Sequence, residues 1–373
     1  MRKLGIYLSV LLLVACRGED VIVPSEEVPT GDTVHTEIVG MYLLNEGNMG
    51  SNKATLDYYD FGKGIYTRNI YSAVNPTMAQ SLGDVGNDLK IYGNRLYAVI
   101  NASNFIEVMS ADSAKHIGMI EVPNCRYLTF KDGFGYVTSF AGPISFDPNA
   151  QQIGYVAKFD TATLQIVDTC HVGYQPEELE IVGDKLYVAN SGGYMVPDYE
   201  HSVSVIDLNT FRESNRIDVA INLHRLRADR HGILWVSSRG DYYDIPSRLY
   251  YIDTQSDNVI GDIDIPVGGM CMDGDSLYIY SAGFNYITME NEIHFYIIDV
   301  RKQTIVSEQF ITEDVDIQVP YGLLVHPVTK AIYLTDAGDY VTPGTLHCFE
   351  RGGSLKWSVR TGDIPAHMVF LQK

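Results

Sequence analysis

The sequence predicts an all-β fold, a seven-bladed β-propeller with four antiparallel strands per blade, and three observations lead there. A strand motif built on Leu-Tyr-Val recurs seven times, no stretch beyond the amino-terminal leader carries helical periodicity, and the last strand belongs to no unit of its own. The motif reads GMYLLN at Tyr42, NRLYAV at Tyr97, GFGYVT at Tyr136, DKLYVA at Tyr187, GILWVS at Trp235, DSLYIY at Tyr278 and KAIYLT at Tyr333. Successive aromatic positions lie 39 to 55 residues apart. A second alternating segment follows each copy, such as LDYYDF, VSVIDL or FYIIDV. Asp60, Asp160, Asp207, Asp253 and Asp299 stand at the end of these segments, where a turn residue is expected. A third strand comes next, as in HIGMIEV and RIDVAI, and a fourth precedes the following copy, as in DLKIYG and ELEIVG. The carboxy-terminal AHMVFLQ has the character of a first strand, whereas the first unit lacks one before GMYLLN. The two ends of the chain are therefore expected to complete one blade, closing the ring so that no long edge stays unpaired.

Taken in chain order, residues 1–15 have a basic start at Arg2 and Lys3 followed by an apolar run from Leu4 to Ala15. That run is too short to span a bilayer, which takes about 20 residues, and reads as a signal peptide. Leu13-Val14-Ala15-Cys16 resembles a bacterial lipobox, which implies a lipid on Cys16 as the single membrane attachment. Glu19 and Asp20 resemble the acidic signal that sends lipoproteins of the Bacteroides group to the cell surface of the outer membrane. Residues 16–40 are polar, Pro-bearing and aperiodic, and are expected to form a flexible tether. The propeller is then expected over residues 41–373.

With 46% apolar and 20% charged residues the chain is globular in composition. A net charge of −20 excludes a nucleic-acid partner, because phosphate binding depends on clustered Lys and Arg. The 26 Tyr against two Trp point equally to strand edges and to a contact surface.

In a blade numbered from the axis outward, the connections from second to third strand, and from the fourth to the next blade, share one face. The second-to-third connections are long in six of seven units: 45–54, 139–154, 190–201, 238–247, 281–291 and 336–345. Turns on the opposite face merely reverse the chain. The long connections bear Asn45, Glu46 and Asn48 in the first unit, Phe140 in the third, and Tyr194 and Tyr199 in the fourth. Arg239, Tyr242 and Tyr243 follow in the fifth, Phe284 and Tyr286 in the sixth, and Tyr340 in the seventh, with Tyr174 on a neighbouring connection. Turns need no aromatics, so these rings predict a ligand cup, against the alternative that they bury one another. Alignment of the first strands places Asn87, Arg126 with Tyr127, Glu177 with Glu178, His224 with Arg225, Tyr321 and His367 around the mouth of the axial channel.

The blade assignment separates Cys125, Cys170, Cys271 and Cys348, so they are expected as free, buried thiols. There is no HExxH or CxxC spacing, no GxSxG and no phosphate-binding loop, so neither a metal site nor a catalytic cofactor is expected. His224 and Glu178 are the one candidate acid–base pair, and the expectation is a binding protein rather than an enzyme.

The segments VGDKLYVAN and SVSVIDLNT, with NEGNMGSNKATLDYYDF opening the first unit, resemble the YncE-like propellers and, over the whole mature chain, the BtuG-like surface lipoproteins among them. That resemblance implies capture of corrinoids, cobalamin (vitamin B12) and cobinamide, and their delivery to a BtuB-like, TonB-dependent transporter of the outer membrane. A siderophore, haem or glycan as ligand, or lactonase-like chemistry, are the alternatives.

Overall fold

The structure, a computed structural model, describes residues 24–145, 151–285 and 290–373. The leader, Cys16 and Tyr286 lie outside the described residues.

Seven antiparallel sheets follow one another around an axis. The first is assembled from both ends of the chain: β29 (Pro365–Gln372) lies inside β2 (Ile38–Asn45), β3 (Thr55–Asp60) and β4 (Ile65–Arg68). Its register runs from Ile38 opposite Gln372 to Asn45 opposite Pro365, so the carboxy-terminal strand closes the ring. The other inner strands are β5 (Gly86–Tyr92), β9 (Cys125–Lys131), β13 (Pro176–Val182), β17 (Leu223–Ala228), β21 (Gly269–Asp273) and β25 (Pro320–Val325). The aromatic of each Leu-Tyr-Val motif sits on a second strand, and six of the seven are buried between blades: Tyr42, Tyr97, Tyr136, Tyr187, Trp235 and Tyr333. Much of the Tyr excess therefore belongs to the core. Such rings keep a polar partner where they can: Tyr42 donates to the carbonyl of Ala111 at 2.9 Å, and the Trp235 indole donates to Asp229 Oδ2 at 3.0 Å. The aspartates that end the third strands accept from turn N–H groups, as Asp160 does from Ala162 and Thr163 and Asp299 from Arg301 and Lys302.

Two sequence expectations need correction. The segment 16–40 is not all tether: Glu26–Pro29 forms β1, which pairs antiparallel with β4 and gives the first sheet a fifth strand. Asp32 then ties this segment down, since its carboxylate accepts from the Trp357 indole at 3.1 Å and Lys356 Nζ at 2.7 Å, while its carbonyl accepts from Tyr59 at 2.6 Å. Hydrogen bonds along an edge and a buried-indole partner outweigh the poor strand propensity of a Pro-bearing stretch. Likewise 281–291 is not simply a loop. β22 (Ser276–Asn285) and β23 (Glu290–Asp299) stay paired out to Asn285 opposite Glu290, so blade six carries a ladder that projects past its neighbours.

Cys125, Cys170, Cys271 and Cys348 are free and buried, as the blade assignment requires.

Candidate functional site

The inner strands carry a local device that the sequence hides. At the end facing the long connections their register slips, so that two consecutive residues oppose one on the second strand: Arg126 and Tyr127 oppose Thr138, Glu177 and Glu178 oppose Ala189, His224 and Arg225 oppose Ser237, and Tyr321 and Gly322 oppose Thr335. A β-bulge of this kind breaks the alternation of side chains and re-aims them. The unpaired backbone N–H is satisfied by a hydroxyl: Tyr127 N–H donates to Thr138 Oγ1 at 3.0 Å, Arg225 N–H to Ser237 Oγ at 2.9 Å and Gly322 N–H to Thr335 Oγ1 at 2.7 Å. Both side chains of the pairs Arg126–Tyr127, Glu177–Glu178 and His224–Arg225 thus reach the axis, while in the fourth pair Tyr321 does so beside a glycine. Strict alternation would have sent one into the sheet.

These side chains divide the axial channel into two cavities. The upper one, about 620 Å³, opens on the face of the long connections and lies within the usual size range of ligand sites. The lower one, about 300 Å³, is lined by Asp88, Lys90, Glu178, Glu180 and Arg227. Arg225, Tyr280 and Tyr321 line both and form the waist between them.

One wall of the upper cavity is aromatic. Tyr321 and Tyr340 meet edge to face at 5.7 Å, Tyr280 donates to the carbonyl of Tyr321, and Tyr321 donates to Glu46 Oε2 at 3.1 Å. Tyr242 completes the rim from blade five, 64% exposed.

The facing wall is built of guanidinium groups. Arg126 donates through Nε and Nη2 to Glu177 Oε2 at 3.1 and 2.9 Å and through Nη1 to Asn87 at 2.5 Å. Its guanidinium lies 4.9 Å from the centroid of Phe140. Arg239 reaches Glu177 Oε1 at 3.4 Å. Deeper, Arg225 donates to Glu178 Oε1 at 2.9 Å and to the Tyr127 hydroxyl at 3.1 Å, and Arg227 reaches Glu178 Oε2 at 2.6 Å. With Arg225 donating to it, the Tyr127 hydroxyl is free to donate onward to His224 Nε2 at 3.1 Å. Burial and the surrounding Arg225, Arg239, Arg126 and Arg227 push the His224 pKa well below its ordinary value, so its ring is neutral and able to accept. Burial opposes ionisation of Glu178, but Arg227 and Arg225 outweigh it and hold its pKa at about 2.

The structure therefore brings Glu46, Asn87, Arg126, His224, Arg239, Tyr242, Tyr321 and Tyr340 to one cavity. Other predicted contacts stand elsewhere. Asn45 is buried and donates to Thr55 Oγ1 at 3.0 Å, inside the sheet. Phe140 is buried beneath Arg126, which it supports rather than presents, and Tyr199 is buried too. Asn48 bonds the Tyr340 carbonyl, joining two loops of adjoining blades. Tyr174 holds the fourth-blade loop through its carbonyl, which accepts from Gly192 at 3.1 Å. Tyr194 and Tyr243 are outside the cavity but 41% and 89% exposed on the rim, so these two rings do not bury one another. His367 belongs to the lower cavity because β29 bulges at Ala366, although its Nε2 lies 3.4 Å from Glu46. Phe284 lies on β22, within the projecting ladder. The candidate pair of His224 and Glu178 is split, each committed to other partners. Sequence reasoning missed Tyr280 and His294 as lining residues. Tyr280 belongs to a repeat motif, and His294 turns inward only because β23 is unusually long.

Among the described residues no group of three or more His, Cys, Asp or Glu side chains could hold a metal ion. A family model described as "Domain of unknown function (DUF5074)" matches residues 39–352. No curated protein matches the chain. Solved structures do. The hydrazine synthase of Kuenenia stuttgartiensis is 14% identical with a TM-score of 0.63, over 77% of this chain and 95% of that one. A quinonprotein alcohol dehydrogenase-like protein of Bacteroides thetaiotaomicron is also 14% identical at 0.63, over 90% and 79%. A 6-phosphogluconolactonase-like protein of Bacteroides fragilis is 10% identical at 0.63, over 91% and 100%. At such identities the likeness is one of fold.

Proposed function

We propose that this chain, which belongs to the DUF5074 family of unknown function, is a lipid-anchored receptor of the outer cell surface that captures corrinoids in the upper cavity and passes them to a TonB-dependent transporter. The observation that carries this reading is the concentration of aromatic faces and hydrogen-bonding side chains in one open cavity at the end of the propeller where the connections are long. A corrinoid is a large rigid ring edged with amides. A cavity held by inner-strand bulges loses little freedom on binding such a ligand, and Tyr280, Tyr321 and Tyr340 offer faces to the ring while Asn87 and the arginines meet its amides.

The added strand β1 supports the delivery step. Its Glu26 end pairs with Arg68, the last residue of β4, and so lies at the cavity end of blade one. Ten residues separate Glu26 from Cys16, which at full extension span about 35 Å. A lipid on Cys16 would hold the cavity face close to the membrane that carries the transporter. No transfer chemistry is involved in this reading: the site binds and releases.

Isothermal calorimetry of residues 24–373 with cyanocobalamin and with cobinamide tests it. Saturable binding is expected, weakened about tenfold or more when Tyr242 and Tyr340 are both replaced by alanine. Absence of heat and of retention on a cyanocobalamin matrix would remove the corrinoid reading.

A further inference from the structure

The charge of the cavity floor is opposite to that of the molecule. The chain carries a net −20, yet the hydrogen-bonded network at the floor joins four guanidinium groups, Arg126, Arg225, Arg227 and Arg239, to only two carboxylates, Glu177 and Glu178. Arg227 turns into the lower cavity, beside Glu180. Arg126 and Arg239 remain on the upper side, and Arg225 reaches it from the waist. The acids that also line the upper cavity stand on other walls: Glu46 is engaged by Tyr321 and faces His367, and Glu292 is on the projecting ladder of blade six.

Donor capacity at this floor exceeds what the protein uses. Arg225 Nε is buried without a hydrogen-bond partner among the described residues. Among the described residues the Arg239 guanidinium makes one long contact, 3.4 Å to Glu177, although it has five N–H donors. Arg126 and Arg239 converge on the same carboxylate, and Arg126 and Arg225 flank the Tyr127 ring at 5.6 and 5.5 Å. A buried cation in excess of its acids is costly unless a counter-charge arrives, and planar guanidinium groups suit the oxygens of carboxylate and phosphate. Burial first, and then the same arginines, keep His224 neutral, in accord with a positive field at this wall.

We infer that the floor of the upper cavity is a subsite for an anionic oxygen group, a carboxylate or a phosphate, borne by the ligand, with Arg239 and Arg225 as its donors and the tyrosine wall receiving the ligand's apolar ring. This deepens the receptor reading, on whose cavity it rests, by adding that the ligand carries an anionic arm. It does not require the ligand to be a corrinoid.

The test uses small ligands that share one ring and differ in one substituent: phenyl phosphate, benzoate, benzamide and benzylamine, followed by saturation-transfer NMR and calorimetry on residues 24–373. The two anions are expected to bind about tenfold more tightly than benzamide, with affinity falling as salt rises. Arg239→Gln should abolish that preference and Arg239→Lys keep part of it, thermal unfolding confirming that each variant is folded. A stronger response to phenyl phosphate assigns the subsite to phosphate esters, and a stronger response to benzoate to carboxylates. Equal binding of all four ligands, or an unchanged preference in folded Arg239→Gln, overturns the inference. Cyanocobalamin is titrated into the same samples. If it fails to bind while the anion preference stands, only the corrinoid reading falls. If it binds without any anion preference, only the present inference falls.

Discussion

Glu178 sits on the inner strand of blade four with 8% of its side chain exposed, between Arg225 and Arg227 of blade five. Burial alone would raise its pKa, but Arg227 and Arg225, helped by Lys90 and the Leu226 N–H, bring it down to about 2. Relative to its ordinary 4.5, that depression is worth about 3 kcal/mol of folding free energy. Because the folded-state pKa is the lower one, the stabilisation is complete above pH ~4.5 and is lost as pH falls toward about 2. His224 works in the same direction from a higher pH. Its folded-state pKa is depressed, so the unfolded chain takes up a proton below pH ~6.5 while the folded one does not, and stability declines from there downward. Burial pushes the Glu180 pKa up to about 7, which adds stability as pH falls from there to ~4.5 and opposes His224. Urea unfolding between pH 8 and 3 should therefore show its steep loss of stability below pH ~4.5. Glu178→Gln should be less stable at pH 7 by about 3–5 kcal/mol, since two arginines lose their acid, and should lose the steep acid limb. If the variant keeps the wild-type acid limb, Glu178 is not the group responsible. None of this pairing was legible in the sequence, because Glu178 and Arg225 lie 47 positions apart and meet only when adjacent blades pack.

At the scale of the element, the bulged inner strand converts a repeat into a site. Alternation in a regular strand would have given each first strand one axial residue at this level. In blades three, four and five the bulges supply two, and Thr138, Ser237 and Thr335 satisfy N–H groups that the slip leaves over. Gly322 shows how tightly this is built: a Cβ there would collide with the carbonyl of Ala366 on the next inner strand and approach Thr335 Oγ1 at 2.9 Å. Gly322→Ala should cost about 1–3 kcal/mol or more, whereas Gly283→Ala, which meets nothing within 4 Å among the described residues, should be close to neutral. Chemical denaturation of both variants checks this, and equal stability of the two would mean that the inner strands yield freely at the waist. The repeated Leu-Tyr-Val pattern announced the second strands because their alternation and burial are local properties. The bulges left no such mark, since a register slip depends on the strand opposite. The same reason explains Phe140 and Tyr199, aromatic loop residues that the fold turned inward.

The whole molecule is held closed at two seams. One is β29 against β2, the pairing of the two termini foreseen from AHMVFLQ. The other is the segment around Asp32, which joins Tyr59 of blade one to Lys356 and Trp357 of blade seven. Deleting residues 365–373 should abolish cooperative unfolding, because an open ring exposes an inner-strand edge along its length. Deleting residues 24–36 should lower the melting temperature yet keep a single cooperative transition, since the inner seam survives. Circular dichroism melts distinguish the two, and a cooperative melt of the carboxy-terminal truncation would show that the ring does not depend on its closing strand. By itself the sequence determined the number of blades, the four repeated strands of each blade, the closing strand and the face on which long connections gather. Those features are written in periodicity and in turn residues, which act over a few neighbouring positions. Only the tertiary structure decided that two consecutive side chains of the inner strands of blades three, four and five reach the axis, that the arginines outnumber their acids on one wall, and that a fifth strand brings the amino-terminal segment to the cavity end. Each of these arises where segments distant in the chain come into contact, and the energies that settle them, desolvation, ion pairing and edge hydrogen bonding, exist only once the blades have packed.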